Sequence, residues 1–329
     1  MPLPIRRIRM MIPLLDEMIR DADSIAVAGH IRPDGDCVGS CLAVYNYITE
    51  NYPQKTCRVY LDHVPERFRF LPHADQVKHP GKKEKQADLF LALDCADRAR
   101  LDSAEPVFLE AKKTVCIDHH ISNEGFADEN YIFPDASSAS QIVFEAMQTD
   151  AISKETAECL YVGIVCDTGV FQYSCTSART MEIGGILMGK GINYPRLVDR
   201  VFFEKNFTQK KILGRTLEKS SLYLNGHAIA SYITQADMKE LGAIGADLDG
   251  IVSELRSTKG VETAIFLHEE KNGDIKISLR SAEYIDVAKI AANYGGGGHA
   301  RAAGATVKLA PDVILSELCE AIRQQMEQE

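Results

Sequence analysis

A histidine and two aspartates lie close together near the start of the chain, in the segment His30-Ile31-Arg32-Pro33-Asp34-Gly35-Asp36. The apolar run before it, 24–29, predicts a buried strand that ends just before the histidine. Ligands of open α/β sheets bind beyond the carboxyl ends of strands. Imidazole and carboxylate groups are good metal ligands, and core packing gives no reason for them here. We interpret the segment as half of a metal site; an Asx-rich turn capping a helix is the alternative.

Similar side chains follow three other apolar segments. Asp94 follows the run 88–93, and Asp118-His119-His120 follow 114–117. Asp167 ends a largely apolar stretch with no lysine or arginine nearby, so a cation would be a suitable partner for it if it is buried. The candidate metal ligands are therefore His30, Asp34, Asp36, Asp94, His119 and Asp167.

Four carboxylates and two imidazoles suit Mn²⁺, with Mg²⁺ or another divalent ion as alternatives. Six ligands exceed the need of one catalytic ion that keeps open positions. We therefore expect two ions that share a bridging carboxylate, an arrangement that activates water and stabilises phosphoryl oxygens. The nine cysteines are an odd number and include no Cys-x-x-Cys pair, so we expect reduced core thiols, with Cys37 and Cys41 in packing positions.

Short apolar strands alternate with helical patterns in the first part of the chain, which predicts an α/β fold with a doubly wound, mainly parallel sheet. A helix from Ala139 follows turn residues, and its N-terminus is suited to bind phosphate. The strand pattern restarts after a connector, and Asn272-Gly273 predicts a hairpin. We expect a catalytic domain over 1–190, a linker over 191–214 and a smaller α/β domain over 215–329, with the active site in a cleft between the domains.

The composition is that of a soluble globular protein, with 45% hydrophobic and 26% charged residues. A net charge of −10 argues against binding along long nucleic acids, where lysine and arginine contacts to phosphates dominate. No apolar run reaches the roughly 18 residues needed to span a bilayer. The basic and apolar N-terminus predicts an amphipathic helix and not a signal peptide, because acidic residues follow it at once. We expect a cytoplasmic protein with no membrane partner.

A glycine-rich segment, 295–304, follows a predicted helix in the second half of the chain. Four consecutive glycines leave backbone amides open to an anion, and nearby basic residues add positive charge. The expected substrate contacts are Arg280, Gly296, Gly297, Gly298, His299 and Arg301. A flexible linker with solvated basic residues is the alternative.

Taken in order, these motifs resemble the DHH phosphoesterases that carry a C-terminal DHH-associated domain, and the resemblance covers nearly the whole chain. It is strongest to the group of bifunctional oligoribonucleases and 3′-phosphoadenosine-5′-phosphate (pAp) phosphatases. The resemblance implies one Mn²⁺ on His30 and Asp34, a second on Asp36, His119 and Asp167, and Asp94 bridging the two.

The resemblance further implies catalytic roles for Asp94 and for His120, near the scissile phosphate, while Asp118 orients its neighbours. Arg280, His299 and Arg301 would hold the substrate's terminal phosphate or base end. A homodimer would agree with the family.

The expected function is that of a metal-dependent phosphohydrolase. It would degrade short 5′-phosphorylated oligoribonucleotides (nanoRNA) and dephosphorylate pAp, with water activated by two metal ions. A phosphodiesterase of cyclic or linear dinucleotides, such as c-di-AMP or pApA, is the enzymatic alternative. A nucleotide-binding sensor without catalysis is the alternative from another class.

Overall fold

The first half of the chain is built on a parallel sheet. The computed structural model describes residues 7–81 and 84–327, and the chain divides into two units, Met1–Glu204 and Lys205–Glu329. The strands of the first unit are β1 (Ser24–Ala28), β2 (Thr56–Tyr60), β3 (Leu89–Leu93), β4 (Thr114–Asp118) and β5 (Glu129–Ile132). Its helices are α1 (Arg7–Met11), α2 (Leu15–Met18), α3 (Gly35–Asn51), α4 (Glu105–Glu110), α5 (Ala139–Ala146), α6 (Lys154–Asp167), α7 (Ala178–Gly189) and α8 (Tyr194–Val198). The predicted N-terminal helix lies partly outside the described residues.

The strand order of this sheet is β2-β1-β3-β4-β5, and every neighbouring pair is parallel. The predicted α/β fold with a parallel sheet is confirmed. The chain leaves β1 toward one side to form β2 and then returns to form β3 on the other side. The carboxyl ends of β1 and β3 therefore flank the point where the strand order reverses, which is where ligands bind in such sheets.

The helices α3 and α6 pack backbone against backbone. A Cβ atom added to Gly39 of α3 would lie 2.6 Å from the carbonyl oxygen of Cys159 and 2.9 Å from the amide nitrogen of Gly163, both in α6. Only glycine permits an approach this close. The contact helps hold the start of α3, with Asp36, near the end of α6, with Asp167.

The second unit has a mixed sheet in the order β10-β11-β9-β8-β7-β6, in which only β7 and β8 run parallel. Its strands are β6 (Ser221–Tyr223), β7 (Ala228–Ile233), β8 (Thr263–Glu269), β9 (Ile275–Ser281), β10 (Gly297–His299) and β11 (Ala302–Val307). Its helices are α9 (Phe207–Glu218), α10 (Gln235–Leu241), α11 (Ile251–Arg256), α12 (Val287–Ala292) and α13 (Pro311–Met326). The predicted hairpin at Asn272-Gly273 joins β8 to β9, and Gly273 has a φ of 83°.

The segment 191–214 contains all of α8 and the first part of α9, so much of the expected connector is helical. Within the described residues, no helix is both long enough and apolar enough to cross a membrane. All nine cysteines are free, and six are buried, as expected for core thiols; Cys175 is an exposed exception.

Candidate metal centre

His30 and Asp94 lie at the ends of β1 and β3, where the strand order reverses. His30 Nε2 lies 3.5 Å from Asp94 Oδ2, and Asp94 is only 2% exposed. The His30 Nδ1–H donates to the carbonyl oxygen of Ile31 at 2.8 Å, which fixes the ring and leaves Nε2 to face the carboxylate. Asp94 has a φ of 53°, a left-handed conformation that costs a non-glycine residue free energy and is often found at functional sites.

His119 connects Asp94 to the end of α6. Its Nε2 atom lies 3.4 Å from Asp94 Oδ1 and 3.2 Å from Asp167 Oδ2. His119 follows β4, the neighbour of β3, so adjacent parallel strands deliver both side chains to one edge of the sheet. Asp167 reaches the same point from the last residue of α6.

Asp36 is fully buried in the first turn of α3 and is held by the N-terminus of α5. Its Oδ2 accepts the amide of Ala139 at 2.6 Å and its Oδ1 accepts the amide of Ser140 at 2.9 Å. These two amides belong to the helix N-terminus that the sequence suggested for phosphate. The Asp36 carboxylate already occupies these two amides, so the prediction that they bind phosphate is wrong.

Asp34 is the N-cap of α3. Its Oδ1 accepts the amides of Asp36 and Cys37 at 3.0 and 3.1 Å, and it lies 3.8 Å from His30 Nε2. The Asp34 side chain is 53% exposed, in contrast to the buried Asp36 and Asp94. The Asx-turn alternative and the site interpretation thus both describe Asp34: it caps the helix and lies beside the cluster.

Three groups of potential ligand atoms, each within 4.8 Å of one another, occur in the described part of the chain: Asp36–His119–Asp167, Asp94–His119–His120 and His30–Cys37–Asp94. Asp94 and His119 each belong to two groups, as expected of side chains at the centre of the cluster. Asp34 belongs to none of them. Cys37 was interpreted from the sequence as a packing residue, and burial raises the pKa of its thiol well above the ordinary value. Its thiol donates to the carbonyl oxygen of His30 at 3.8 Å, a contact that agrees with a packing role.

His120 is oriented by a buried carboxylate. Its Nδ1–H donates to Asp118 Oδ1 at 2.8 Å, while Asp118 Oδ2 accepts the side-chain amide of Asn123 at 2.7 Å. This bond to Asp118 raises the pKa of His120 above the ordinary value. The ring therefore keeps a proton more readily than a free imidazole, and its Nε2 atom is not used by the bond to Asp118. Asn123, which the sequence interpretation missed, supports this pair.

The charges of the cluster depend on one another. Burial opposes a charge on His30 and His119, yet the nearby carboxylates, Asp34 first for His30 and Asp94 first for His119, raise the pKa values of the two histidines to about 11 and about 10. Burial raises the pKa values of Asp36 and Asp167, and repulsion from neighbouring carboxylates adds to the effect. Burial alone would raise the pKa of Asp94, but the two histidines hold it well below its usual range. In the absence of another cation, this cluster needs protons to balance its carboxylates.

The residues present fit a divalent ion. Among the described residues Asp94 Oδ1 has no hydrogen-bond partner although it is sealed from solvent. An unsatisfied buried carboxylate oxygen is costly, and a cation would satisfy it. The oxygen and nitrogen donors match ions such as Mn²⁺ and Mg²⁺, and the carbonyl of Ile31 supports His30 as expected for a histidine ligand.

Metal binding is therefore expected to release protons, and divalent-ion affinity is expected to rise with pH. His30 and His119 carry protons at neutral pH in the metal-free protein and must lose them to act as ligands. For each proton released, affinity should rise about tenfold per pH unit. Calorimetric Mn²⁺ titrations between pH 6 and 8, in buffers of different ionisation enthalpy, would measure the number released. An affinity independent of pH over this range would contradict the protonation described here.

The predicted substrate contacts lie in the second unit. Arg280 is the penultimate residue of β9 and pairs with Ala302 of β11, and Arg301 Nη1 donates to the carbonyl of Ile285 at 2.8 Å. His299 is exposed at the end of β10. The glycine-rich segment is a β-hairpin here and not a flexible linker, because Gly297–His299 pairs with Ala302–Gly304.

Two of the four glycines have a packing role in this hairpin. A Cβ added to Gly296 would lie 2.6 Å from Ala305 Cβ, and one added to Gly298 would lie 2.7 Å from Ala303 Cα. Gly298 also has a φ of 147°. Gly297, by contrast, has no atom within 4 Å of an added Cβ. The structure thus explains Gly296 and Gly298 without a ligand, whereas a ligand contact at Gly297 stays a prediction.

Gly298→Ala and Gly297→Ala are expected to act differently. Gly298→Ala should destabilise the second unit by about 1–3 kcal/mol, because the added Cβ overlaps β11 in a conformation unfavourable for alanine. Gly297→Ala should leave the melting temperature unchanged and raise KM if a phosphate approaches its amide. Thermal unfolding and nucleotide kinetics of both variants check this. An unchanged KM in a stable Gly297→Ala protein would remove Gly297 from the substrate site.

Two known protein domains match this chain. Residues 24–164 match the N-terminal domain of the DHH family, and residues 225–328 match the DHHA1 domain. The chain belongs to the DHH family and carries a DHHA1 domain C-terminal to its DHH domain.

The similarity to known relatives extends over nearly the whole chain. The bifunctional oligoribonuclease and PAP phosphatase NrnA of Thermus thermophilus is 28% identical over 318 residues, which are 95% of this chain and 94% of that protein. A probable enzyme of the same name from Streptococcus mutans is 30% identical over 291 residues, which are 87% of this chain and 90% of that protein. The crystal structure of an exopolyphosphatase-related protein from Bacteroides fragilis has a TM-score of 0.86 at 26% identity and covers 95% of each chain.

Proposed function

We propose that this protein is a metal-dependent phosphohydrolase of short nucleotides. It removes a phosphate from pAp and cleaves short 5′-phosphorylated oligoribonucleotides. The single observation that carries the proposal is the convergence of four carboxylates and two imidazoles where the strand order reverses. The relatives named as oligoribonuclease and PAP phosphatase support the choice of substrates.

We assign two ions, preferably Mn²⁺, to His30, Asp34, Asp36, Asp94, His119 and Asp167. Bound there, such ions lower the pKa of water and stabilise the oxygens of the phosphoryl group. Asp94 would be shared between them, because its two oxygens face different histidines. Asp36, fixed by two backbone amides, would hold its donor atoms in place as substrate binds and product leaves.

His120 is assigned to the reacting phosphate. Asp118 accepts the Nδ1 proton and leaves Nε2 available, so that in the protonated ring Nε2–H can donate a hydrogen bond to a phosphoryl or leaving-group oxygen. The raised pKa keeps this nitrogen protonated more fully than in a free imidazole, which suits a general acid. Asp118 and Asn123 act through His120 and do not touch the substrate.

The second unit is assigned to substrate binding. Arg280, His299 and Arg301 supply basic groups suited to a terminal phosphate, and Gly297 offers an unobstructed backbone. The proposal includes short RNA and small nucleotides as substrates, a cytoplasmic location and assembly as a homodimer. The acidic net charge favours short substrates over long RNA, because long polyanions require many basic contacts.

Hydrolysis of a substrate series tests this function. The series contains pAp, pApA, cyclic diadenylate and 5′-phosphorylated RNAs of increasing length, each assayed with Mn²⁺ and with EDTA. We expect metal-dependent turnover of pAp and pApA, and rates that fall as RNA lengthens. Preferred hydrolysis of cyclic diadenylate would establish the dinucleotide phosphodiesterase instead. Tight nucleotide binding without turnover in Mn²⁺ would indicate a sensor.

A further inference from the structure

Arg32 is held in an unfavourable conformation inside the loop that carries His30 and Asp34. Its φ is 55°, the left-handed region, where a long side chain without a local hydrogen bond costs free energy. The loop is fixed on both sides of it. The amide of Ile31 donates to the carbonyl of Arg100 at 2.7 Å, and the side chain of Asp34 caps α3.

The Arg32 side chain has no partner in the part of the chain that the structure describes. It is exposed and makes no hydrogen bond, ion pair or ring contact with residues 7–81 and 84–327. Two arginines elsewhere in this unit differ from it: Arg69 pairs with Glu66 at 3.1 Å, and Arg67 lies 4.7 Å over the ring of Phe68. Backbone strain at a residue whose side chain contacts nothing within the described chain points to a role for that side chain in binding.

The charge balance of the proposed centre indicates what that role is. Its four aspartates, when ionised, balance two divalent ions, and the histidine ligands are then neutral. The phosphoryl group of a substrate adds negative charge that this balance does not cover. His120 can meet part of it, and Arg32, two residues from both His30 and Asp34, is the nearest arginine in sequence to the candidate ligands.

We propose that Arg32 binds the phosphoryl group that is transferred to water. Its planar guanidinium donates two parallel hydrogen bonds to non-bridging oxygens, a geometry that lysine cannot reproduce. Because the contact is to the reacting phosphoryl group, it serves phosphomonoesters and phosphodiesters alike and does not depend on the nucleoside. This inference rests on the proposed function for its substrates but concerns phosphate binding itself.

Binding of inorganic phosphate to the Mn²⁺-loaded full chain tests the inference. Arg32→Asn removes the guanidinium and keeps a residue that tolerates left-handed φ. We expect it to weaken phosphate binding in calorimetry by roughly 10- to 100-fold, and to lower kcat/KM for pAp and pApA by the same factor. Mn²⁺ affinity and the melting temperature should not fall. Arg32→Lys should recover only part of the loss, because it restores the charge and not the planar pair of donors.

Arg69→Asn is the matched control, because it removes an exposed arginine of the same unit that already has a partner. It should bind phosphate as the wild type does. Unchanged phosphate affinity in Arg32→Asn, an equal loss in Arg69→Asn, or a loss of turnover confined to one of the two substrates would each overturn the inference. If the wild type hydrolyses neither pAp nor pApA, the proposed function fails, and the calorimetric comparison still decides the role of Arg32.

Discussion

Asp94→Asn is expected to lower kcat/KM for pAp by more than about 100-fold and to remove tight Mn²⁺ binding. Substituting a residue that only supports a metal ligand already costs roughly 10- to 100-fold in affinity or activity, and Asp94 is assigned as a ligand shared by both ions. An asparagine would place a neutral amide between His30 and His119, whose Nε2 atoms face the carboxylate at 3.5 and 3.4 Å. Nucleotide kinetics and equilibrium dialysis with Mn²⁺ would measure both effects.

The same strand offers the control for this substitution. Asp88 immediately precedes β3, as Asp94 immediately follows it, and it binds Ser24 and Lys112 at the opposite edge of the sheet. Asp88→Asn should reduce stability without changing Mn²⁺ affinity or turnover. Normal turnover in Asp94→Asn, or equal losses in both variants, would remove Asp94 from the proposed centre.

Gly163→Ala is expected to damage the metal centre, because it adds a methyl group of α6 next to Ser140 and Asp36. The added Cβ would overlap Ser140 Oγ and lie 2.8 Å from Asp36 Oδ1, so Asp36 or the start of α5 must move. Overpacking of this kind costs about 1–3 kcal/mol of stability. A displaced Asp36 should weaken Mn²⁺ binding at least about tenfold, by analogy with the loss of a residue that supports a metal ligand. Chemical denaturation and Mn²⁺ calorimetry measure these two quantities separately.

Gly185→Ala is the matched control for Gly163→Ala. It makes the same substitution but is expected to stabilise the protein. No atom lies within 4 Å of a Cβ added to Gly185 in α7, so helix propensity alone should act and stabilise the protein by about 0.5–1 kcal/mol. Ser140→Gly removes the side chain that overlaps the new methyl group in Gly163→Ala and should restore part of its stability. If Gly163→Ala resembles Gly185→Ala in both stability and Mn²⁺ binding, the close approach of the helices does not position Asp36.

Much of the first unit could be predicted from local sequence. The apolar runs before His30, Asp94 and His119 are strands β1, β3 and β4, and parallel strands bring their ends together. The family and the parallel sheet followed from the same motifs. The convergence of the predicted ligands thus depends on two simple rules, strand termination and strand order.

The parts that could not be predicted depend on packing between segments distant in sequence. The amides of α5 bind Asp36 across more than 100 residues, which no local pattern indicates. The contact of Gly39 with Gly163 is similar, because a glycine within a helical pattern does not reveal its neighbour. In the second unit, the glycine run indicated an anion site, whereas two of its members are needed for strand pairing. Helical structure in 191–214 was missed because mixed charge and Pro195 resembled a connector.

Two divalent ions bound to this cluster are expected to support hydrolysis of a short nucleotide. Mn²⁺ titration of chelator-treated protein, with phosphate release from pAp and bound Mn²⁺ measured on the same samples, tests it most directly. We expect no turnover in EDTA and a rate that reaches its plateau as the second equivalent of Mn²⁺ per chain binds. Turnover that persists in EDTA, or two bound equivalents without phosphate release from pAp, would contradict it.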